Sequence, residues 1–224
     1  MDIYYLILVI PALLLSIFAQ ARVTSTFKKY SGILSRSNVS GSYAAQNVLQ
    51  NADISGVHIH PVNGSLTDHY DPRNNSIALS ETVYSNTSVA AIGVAAHEAG
   101  HAIQYAKGYI PIKIRNTVLP VAQIGCSAAF PLAILGIFLG MPFLIDFGII
   151  LYGAVVLFQL VTLPVEFNAS RRALVSLVDI GILSDDEIAG AKKVLSAAAL
   201  TYVAATLTTL MSFLRLILLS RNRR

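Results

Sequence analysis

The sequence predicts a mainly α multi-pass membrane protein in which about four transmembrane helices carry a polar module with a small β-sheet. Of its 224 residues, 54% are hydrophobic and only 12% charged, against roughly 25% charged in a soluble domain. Apolar stretches approaching the roughly 20 residues that a membrane helix needs occur in three places, and the middle one is long enough for two passes. Between the first and the second lie residues 22–116, whose composition is that of a soluble domain. A disordered tail and an ordinary cytosolic enzyme are thereby excluded. Sixteen Lys+Arg against twelve Asp+Glu leave a net charge of +4; no basic stripe with interleaved aromatics accompanies it, so no nucleic-acid partner is expected. The single Cys126 permits neither an intrachain disulfide nor a thiolate cluster, so any metal must be held by His and carboxylate.

Residues 1–21 form the first element, an N-terminal transmembrane anchor built on the run Ile3 to Ala19. Ala19-Gln20-Ala21 has the small-x-small form of a signal-peptide cleavage site, but Met1-Asp2 is acidic where a signal peptide is basic, so an uncleaved anchor is expected. Arg22, Lys28, Lys29 and Arg36 follow at once, which by the positive-inside rule places this flank in the cytoplasm. From Ser40, a suitable N-cap, Ala44, Ala45, Val48 and Leu49 recur at helical spacing up to Asn51. Val57 to Val62 alternates with period two and puts His58 and His60 on one strand face, read as a solvated face rather than a second metal site. Ile77 to Ser80 is a second strand, after the turn cluster Asp71 to Asn75. A helix then opens at Asn86-Thr87-Ser88 and runs to Lys107 with a stop at Gly108.

Residues 117–165 read as a transmembrane hairpin turning at Gly140-Met141-Pro142, with a lone Asp146. Arg171, Arg172, Lys192 and Lys193 return residues 166–196 to the cytoplasmic side. This stretch is read as a helix from Val165 to Val178, then a capping box at Ser184-Asp185-Asp186-Glu187 opening the next helix. Residues 197–224 form a transmembrane or re-entrant helix and a basic tail. Arg215 would snorkel to the interface, and Arg221, Arg223 and Arg224 would lie outside if the segment spans.

The chemistry sits on the helix of the polar module, in His97-Glu98-Ala99-Gly100-His101. Residues four apart share a helical face, so both imidazoles can reach one zinc ion, and Glu98, about 100° round, can act on a water there. By composition such a pattern arises by chance in roughly two of a thousand such chains, so it outweighs the alternative of a helix with two surface histidines. Catalytic zinc takes three protein ligands. Glu166 fits as the third: two intervening spans bring the chain back to the face it left, and Glu166 follows Pro164 as the chain emerges.

Leu66-Thr67-Asp68-His69-Tyr70-Asp71-Pro72, Val94 to Gln104 around the HExxH pattern, and Leu163-Pro164-Val165-Glu166-Phe167-Asn168-Ala169-Ser170-Arg171-Arg172-Ala173 resemble the bacterial YugP-type neutral zinc metallopeptidases, over nearly the whole chain. More distantly they are similar to the HtpX and CAAX-prenyl endopeptidase group, whose third ligand is the Glu of an ExxAD motif. Here Glu166, Ala169 and Ser170 stand in those places, with Ser170 replacing the Asp. The resemblance implies a gluzincin-like module with one Zn2+ per chain, in a bacterial plasma membrane, acting on a peptide or membrane-protein substrate; the basic flanks put the module on the cytoplasmic face. His69, Tyr70 and Arg172 are candidate transition-state or substrate contacts because they lie in these motifs. Ile77 and Leu79 are candidates because related peptidases pair substrate with an edge strand. The function expected is a membrane-embedded zinc endopeptidase with Glu98 as general base. Its rivals are a site-2-type intramembrane protease using Asp146 as third ligand, and a membrane adaptor with a structural zinc. Nothing in the sequence bears on oligomeric state.

Overall fold

The computed structural model describes residues 2–221; Arg223 and Arg224 of the basic tail lie outside the described residues. A short π-helix at Tyr5–Val9 leads into α1 (Ile10–Ser31), followed by α2 (Gly41–Asn51), β1 (His58–Val62), β2 (His69–Asp71), β3 (Ser76–Ser80), α3 (Glu81–Tyr84), α4 (Val89–Ala106), α5 (Ile110–Leu139), α6 (Pro142–Asp179) and α7 (Asp185–Arg221). The chain divides into two compact units. One comprises residues 1–20, 110–164 and 200–224, and the other residues 21–109 and 165–199.

The first unit is apolar. Among the described residues four helices, Tyr5–Ser31, α5, α6 and α7, are long and apolar enough to cross a membrane. Their outer faces carry Phe138, Phe143 and Ile150 at 88%, 73% and 69% exposure. Such surface is stable against lipid and would drive aggregation in water. The protein is a mainly α membrane protein. Within this unit α5 meets α6 through small residues: a Cβ on Gly125 would stand 2.5 Å from the Leu151 carbonyl oxygen, and one on Gly148 2.7 Å from that of Ala129. Close backbone approach of this kind supplies the packing that apolar burial cannot supply between helices already in lipid. Gly140, at φ +65°, lets the Met141 N–H reach back to the Gly136 carbonyl and closes α5 where the turn was expected.

In the same unit α1 and α7 run antiparallel. Ser16 Oγ lies 3.1 Å from Thr208 Oγ1, which donates to the Ala12 carbonyl, and Arg215 Nη2 donates to Asp2 Oδ2 at 2.6 Å with the guanidinium over the Tyr5 ring. Arg215 therefore has a carboxylate partner instead of simply snorkelling, and α7 is one unbroken helix with no re-entrant bend. A second departure concerns the stretch from Val165, expected as a new helix. It continues α6 without a break, with Pro164 inside. Proline removes one backbone hydrogen bond, a loss that helices in membranes tolerate because neighbouring groups satisfy the freed carbonyl.

The second unit has a conventional core, in which Val48, Ile77, Leu79, Val83, Val89, Ile92 and Leu177 are at or below 1% exposure. Ser40 caps α2 by accepting from the Tyr43 N–H, and Ser88 caps α4 by accepting from Ala91 N–H, as the sequence predicts. At the other end of α4, Gly108 at φ +61° allows Tyr109 N–H to bond the Gln104 carbonyl and Gly108 N–H that of Tyr105, which ends the helix. Ser184 opens α7 with the expected capping box, its N–H donating to Glu187 Oε2 at 2.8 Å.

The sheet has the order β1-β3-β2, with β1 parallel and β2 antiparallel to β3. This corrects the expectation that Ile77 and Leu79 lie on a substrate-pairing edge. β3 is the central strand, all five of its residues are buried, and Ile77 and Leu79 have no exposure. A run of apolar and small residues on both faces is the mark of a strand covered on both sides. Just before β2, the Asp68 carboxylate accepts from Ser80 N–H and Oγ at 2.8 and 3.0 Å, so even the last residue of β3 is satisfied.

Candidate metal centre

Two helices build the centre. α4 carries His97, Glu98 and His101, and α6 carries Glu166. They meet where small residues permit it: a Cβ on Gly100 would stand 2.6 Å from the Ala169 carbonyl oxygen and 3.2 Å from its Cα. Ala169 lies almost one turn beyond Glu166, so this contact sets how deeply the carboxylate reaches toward the histidines.

His97 Nε2 and His101 Nε2 lie 3.4 and 3.5 Å from Glu166 Oε2. The two rings stand edge to face with centroids 4.7 Å apart, and one ligand atom from each of the three residues falls within 4.8 Å of the others. Glu166 Oε2 is buried yet accepts no hydrogen bond. A buried carboxylate oxygen left in this state is costly unless a cation meets it. Four ligands placed tetrahedrally around zinc at about 2.05 Å are separated by about 3.3 Å, close to the two spacings seen. The donor set therefore fits zinc.

The other ring nitrogens face outward to polar partners: His97 Nδ1 to Ser170 Oγ at 3.1 Å, and His101 Nδ1 to Gln104 Oε1 at 3.0 Å. Such partners orient metal-binding imidazoles. Ser170, which stands where the ExxAD pattern has Asp, thus meets His97 with a neutral hydroxyl. Burial pushes the His101 imidazole down, but Glu166, Glu98 and Gln104 outweigh it and raise it above its ordinary value. Burial likewise pushes the Glu166 carboxyl up, and the adjacent His101 and His97 rings reverse this and hold it well below the usual carboxylate range. Glu98 is 7% exposed and near enough to act electrostatically on His101.

The remaining candidates lie outside the trio. Tyr70 packs its ring against Tyr105, centroids 5.3 Å apart, and donates its hydroxyl to Asn75 Oδ1. Arg172 donates from Nε to Asn168 Oδ1 at 2.8 Å and places its guanidinium over Tyr109. His69 is exposed, with Nδ1 2.9 Å from the Thr67 carbonyl of its own turn. His58 and His60 are exposed on β1. Among the described residues, the ligand atoms of His97, His101 and Glu166 converge, and neither these histidines nor Asp146 joins them. Sequence reasoning missed Gly100 and Gln104. The available signals were a residue without a side chain between two ligands, and a glutamine three residues past His101 on a buried helix.

Comparison with known proteins agrees with this chemistry. Residues 5–221 match a family model described as "Putative neutral zinc metallopeptidase". The chain is 45% identical over 220 residues, covering 98% of each protein, to "Putative membrane protease YugP" of Bacillus subtilis (strain 168). No solved structure matches it. With the match running through both histidines, Glu166 and all four apolar helices, the chain belongs to the neutral zinc metallopeptidase family that this model describes.

Proposed function

We propose that the protein is a membrane-embedded zinc endopeptidase whose metal is held by His97, His101 and Glu166. The observation that carries the reading is the convergence of these three donors around a buried, unbonded Glu166 oxygen. Zinc bound there supplies a Lewis acid that acidifies water and polarises a carbonyl. Glu98, adjacent to His97 on α4, takes the proton of the attacking water and delivers it to the departing amine. A structural zinc is normally closed by four protein ligands; among the described residues three converge here, which favours a catalytic ion.

The strand register supports a place for substrate. His58 N–H donates to the Asn75 carbonyl, so His58, His60 and Val62 direct their main-chain groups at β3, and Ile59 and Pro61 direct theirs outward. Pro61 lacks an N–H and guards that edge. On the other side Ser80 N–H faces Asp68, so Ser76 and Ala78 face β2, and His69 and Asp71 answer them. Tyr70 then presents its N–H and carbonyl on the open edge, beside α4 through Tyr105. An extended peptide pairing with Tyr70 would be read by its main chain, which gives sequence-tolerant binding. Arg22, Lys28, Lys29, Arg36, Arg171, Arg172, Lys192 and Lys193 all belong to the polar unit, which supports a cytoplasmic location for it.

The test is Glu98→Gln in the purified full chain, with a quenched peptide library and product sequencing. The variant should keep stoichiometric zinc and lose at least about a hundredfold in turnover; wild-type turnover in that variant, or cleavage by the wild type undiminished by a chelator, refutes the mechanism.

A further inference from the structure

We infer that Gln104 is a positioning residue that fixes the ring of His101 for metal and clasps α4 to α6 on either side of Glu166. This rests on the zinc reading above. Gln104 has no exposure, so its amide must find every partner within the protein. It does so with three contacts. Nε2 donates to the Val165 carbonyl at 2.7 Å and to Asn168 Oδ1 at 3.0 Å, and Oε1 lies 3.0 Å from His101 Nδ1.

The orientation of the amide follows by elimination. A main-chain carbonyl only accepts, so the atom beside Val165 O must be the amide nitrogen, and the atom beside His101 must be the oxygen. That oxygen only accepts in turn, so in the neutral ring that binds metal the hydrogen of His101 resides on Nδ1 and the lone pair on Nε2, the nitrogen that faces Glu166. Asn168 is fixed by the same logic, its Oδ1 accepting from both Gln104 and Arg172 Nε. His97 is held less strictly, since the Ser170 hydroxyl can donate or accept.

The second consequence is spatial. Val165 immediately precedes Glu166 and Asn168 follows it by two residues, so one side chain from α4 grips the main chain and a side chain that bracket the third ligand. Gln104 thus ties the position of Glu166 to that of His101. A glutamate in its place would set an acceptor against the Val165 carbonyl and Asn168 Oδ1.

The test uses the full chain in detergent, with zinc affinity read by chelator competition and site geometry by the visible spectrum of the cobalt(II)-substituted protein. Gln104→Met, which keeps volume and removes all three contacts, and Gln104→Glu should each weaken zinc about 10- to 100-fold and change the cobalt spectrum. Asn168→Asp keeps the acceptor for Gln104 and should bind zinc within about threefold of wild type, with an unchanged spectrum. A contact serving only to fill the core would leave the cobalt spectrum unmoved. If Gln104→Met does not fold, Asn168→Leu decides on the same two readouts: a weakened, altered site supports the inference, and an unchanged one overturns it. Wild type that binds zinc, with a folded Gln104→Met variant indistinguishable from it, overturns the inference alone. Wild type that binds neither zinc nor cobalt overturns the proposed function and this inference with it.

Discussion

Replacing Gly100 with Ala tests whether helix approach, as well as ligand identity, makes the metal centre. The added Cβ would stand 2.6 Å from the Ala169 carbonyl oxygen, where an ordinary carbon–oxygen contact needs about 3.4 Å. The obstruction is backbone, so no rotamer relieves it, and α4 and α6 must separate by about 0.8 Å. Glu166 sits on the same turn of α6 and moves with it. Its Oε2, now 3.4 and 3.5 Å from the two Nε2 atoms, would recede beyond about 4 Å, against a tolerance of about 0.2 Å in metal–ligand distance. Overpacking of this kind also costs about 1–3 kcal/mol of stability. Gly100→Ala should therefore lose zinc affinity at least about tenfold, measured by chelator competition, and unfold at lower temperature by differential scanning fluorimetry in detergent. An alanine variant with wild-type zinc affinity and melting temperature would show that α4 and α6 do not depend on this contact, and that the ligand spacing is not set by it.

Glu166→Gln should abolish stoichiometric zinc while Asp146→Asn retains it, read by metal analysis of the purified chains; the reverse result would favour an intramembrane site built on Asp146. Burial raises the Asp68 carboxyl above its ordinary value despite the bonds from Ser80. A raised carboxyl favours folding fully below the unfolded value and loses that contribution as pH rises through the folded one. Asp68→Asn, which removes this titration, should therefore gain in melting temperature relative to wild type between pH 4 and pH 7; a constant difference across that window counts against it. In the apolar unit, Asp2→Asn and Arg215→Gln should each lower the melting temperature, and the double variant should lose less than the sum of the two. Additive losses would mean that the pair of Asp2 and Arg215 contributes nothing as a pair.

The parts of the fold legible in the sequence were those written in local chemistry. Ser40 and Ser88 announced the starts of α2 and α4, Gly108 the end of α4, and Gly140-Met141-Pro142 the hairpin turn, because caps and left-handed positions restrict residue type within a few positions. The HExxH spacing placed two imidazoles on one helical face for the same reason. Glu166 was legible from topology, since an even number of spans restores the chain to its starting side. β2 was not: three residues, His69 to Asp71, are too few to display a period, and their strand character comes from pairing with β3. The continuity of α6 through Pro164 was hidden because proline's local cost is read as a stop, whereas the membrane setting that tolerates it is a property of the surroundings. Gly100 and Gln104 were hidden for a related reason, as nothing near them in sequence names the Ala169, Val165 and Asn168 backbone or side chain against which they are chosen.

The centre's asymmetry follows from the same distinction. The two histidines come from one helix, where i and i+4 spacing fixes them relative to each other by backbone hydrogen bonds alone. The carboxylate comes from a helix remote in sequence, so its distance must be set by packing and by hydrogen bonds between the helices. Gly100 lets α6 approach and Gln104 holds it there; one acts by steric permission and the other by two directed bonds across to α6. A change at either should act on metal affinity through Glu166, and a change at Gln104 should act through the His101 ring as well. Gly100→Ala and Gln104→Met, which share Glu166 as a target, should therefore combine to less than the product of their separate losses in zinc affinity, whereas Gly100→Ala combined with Ser170→Ala, which bears on His97, should multiply.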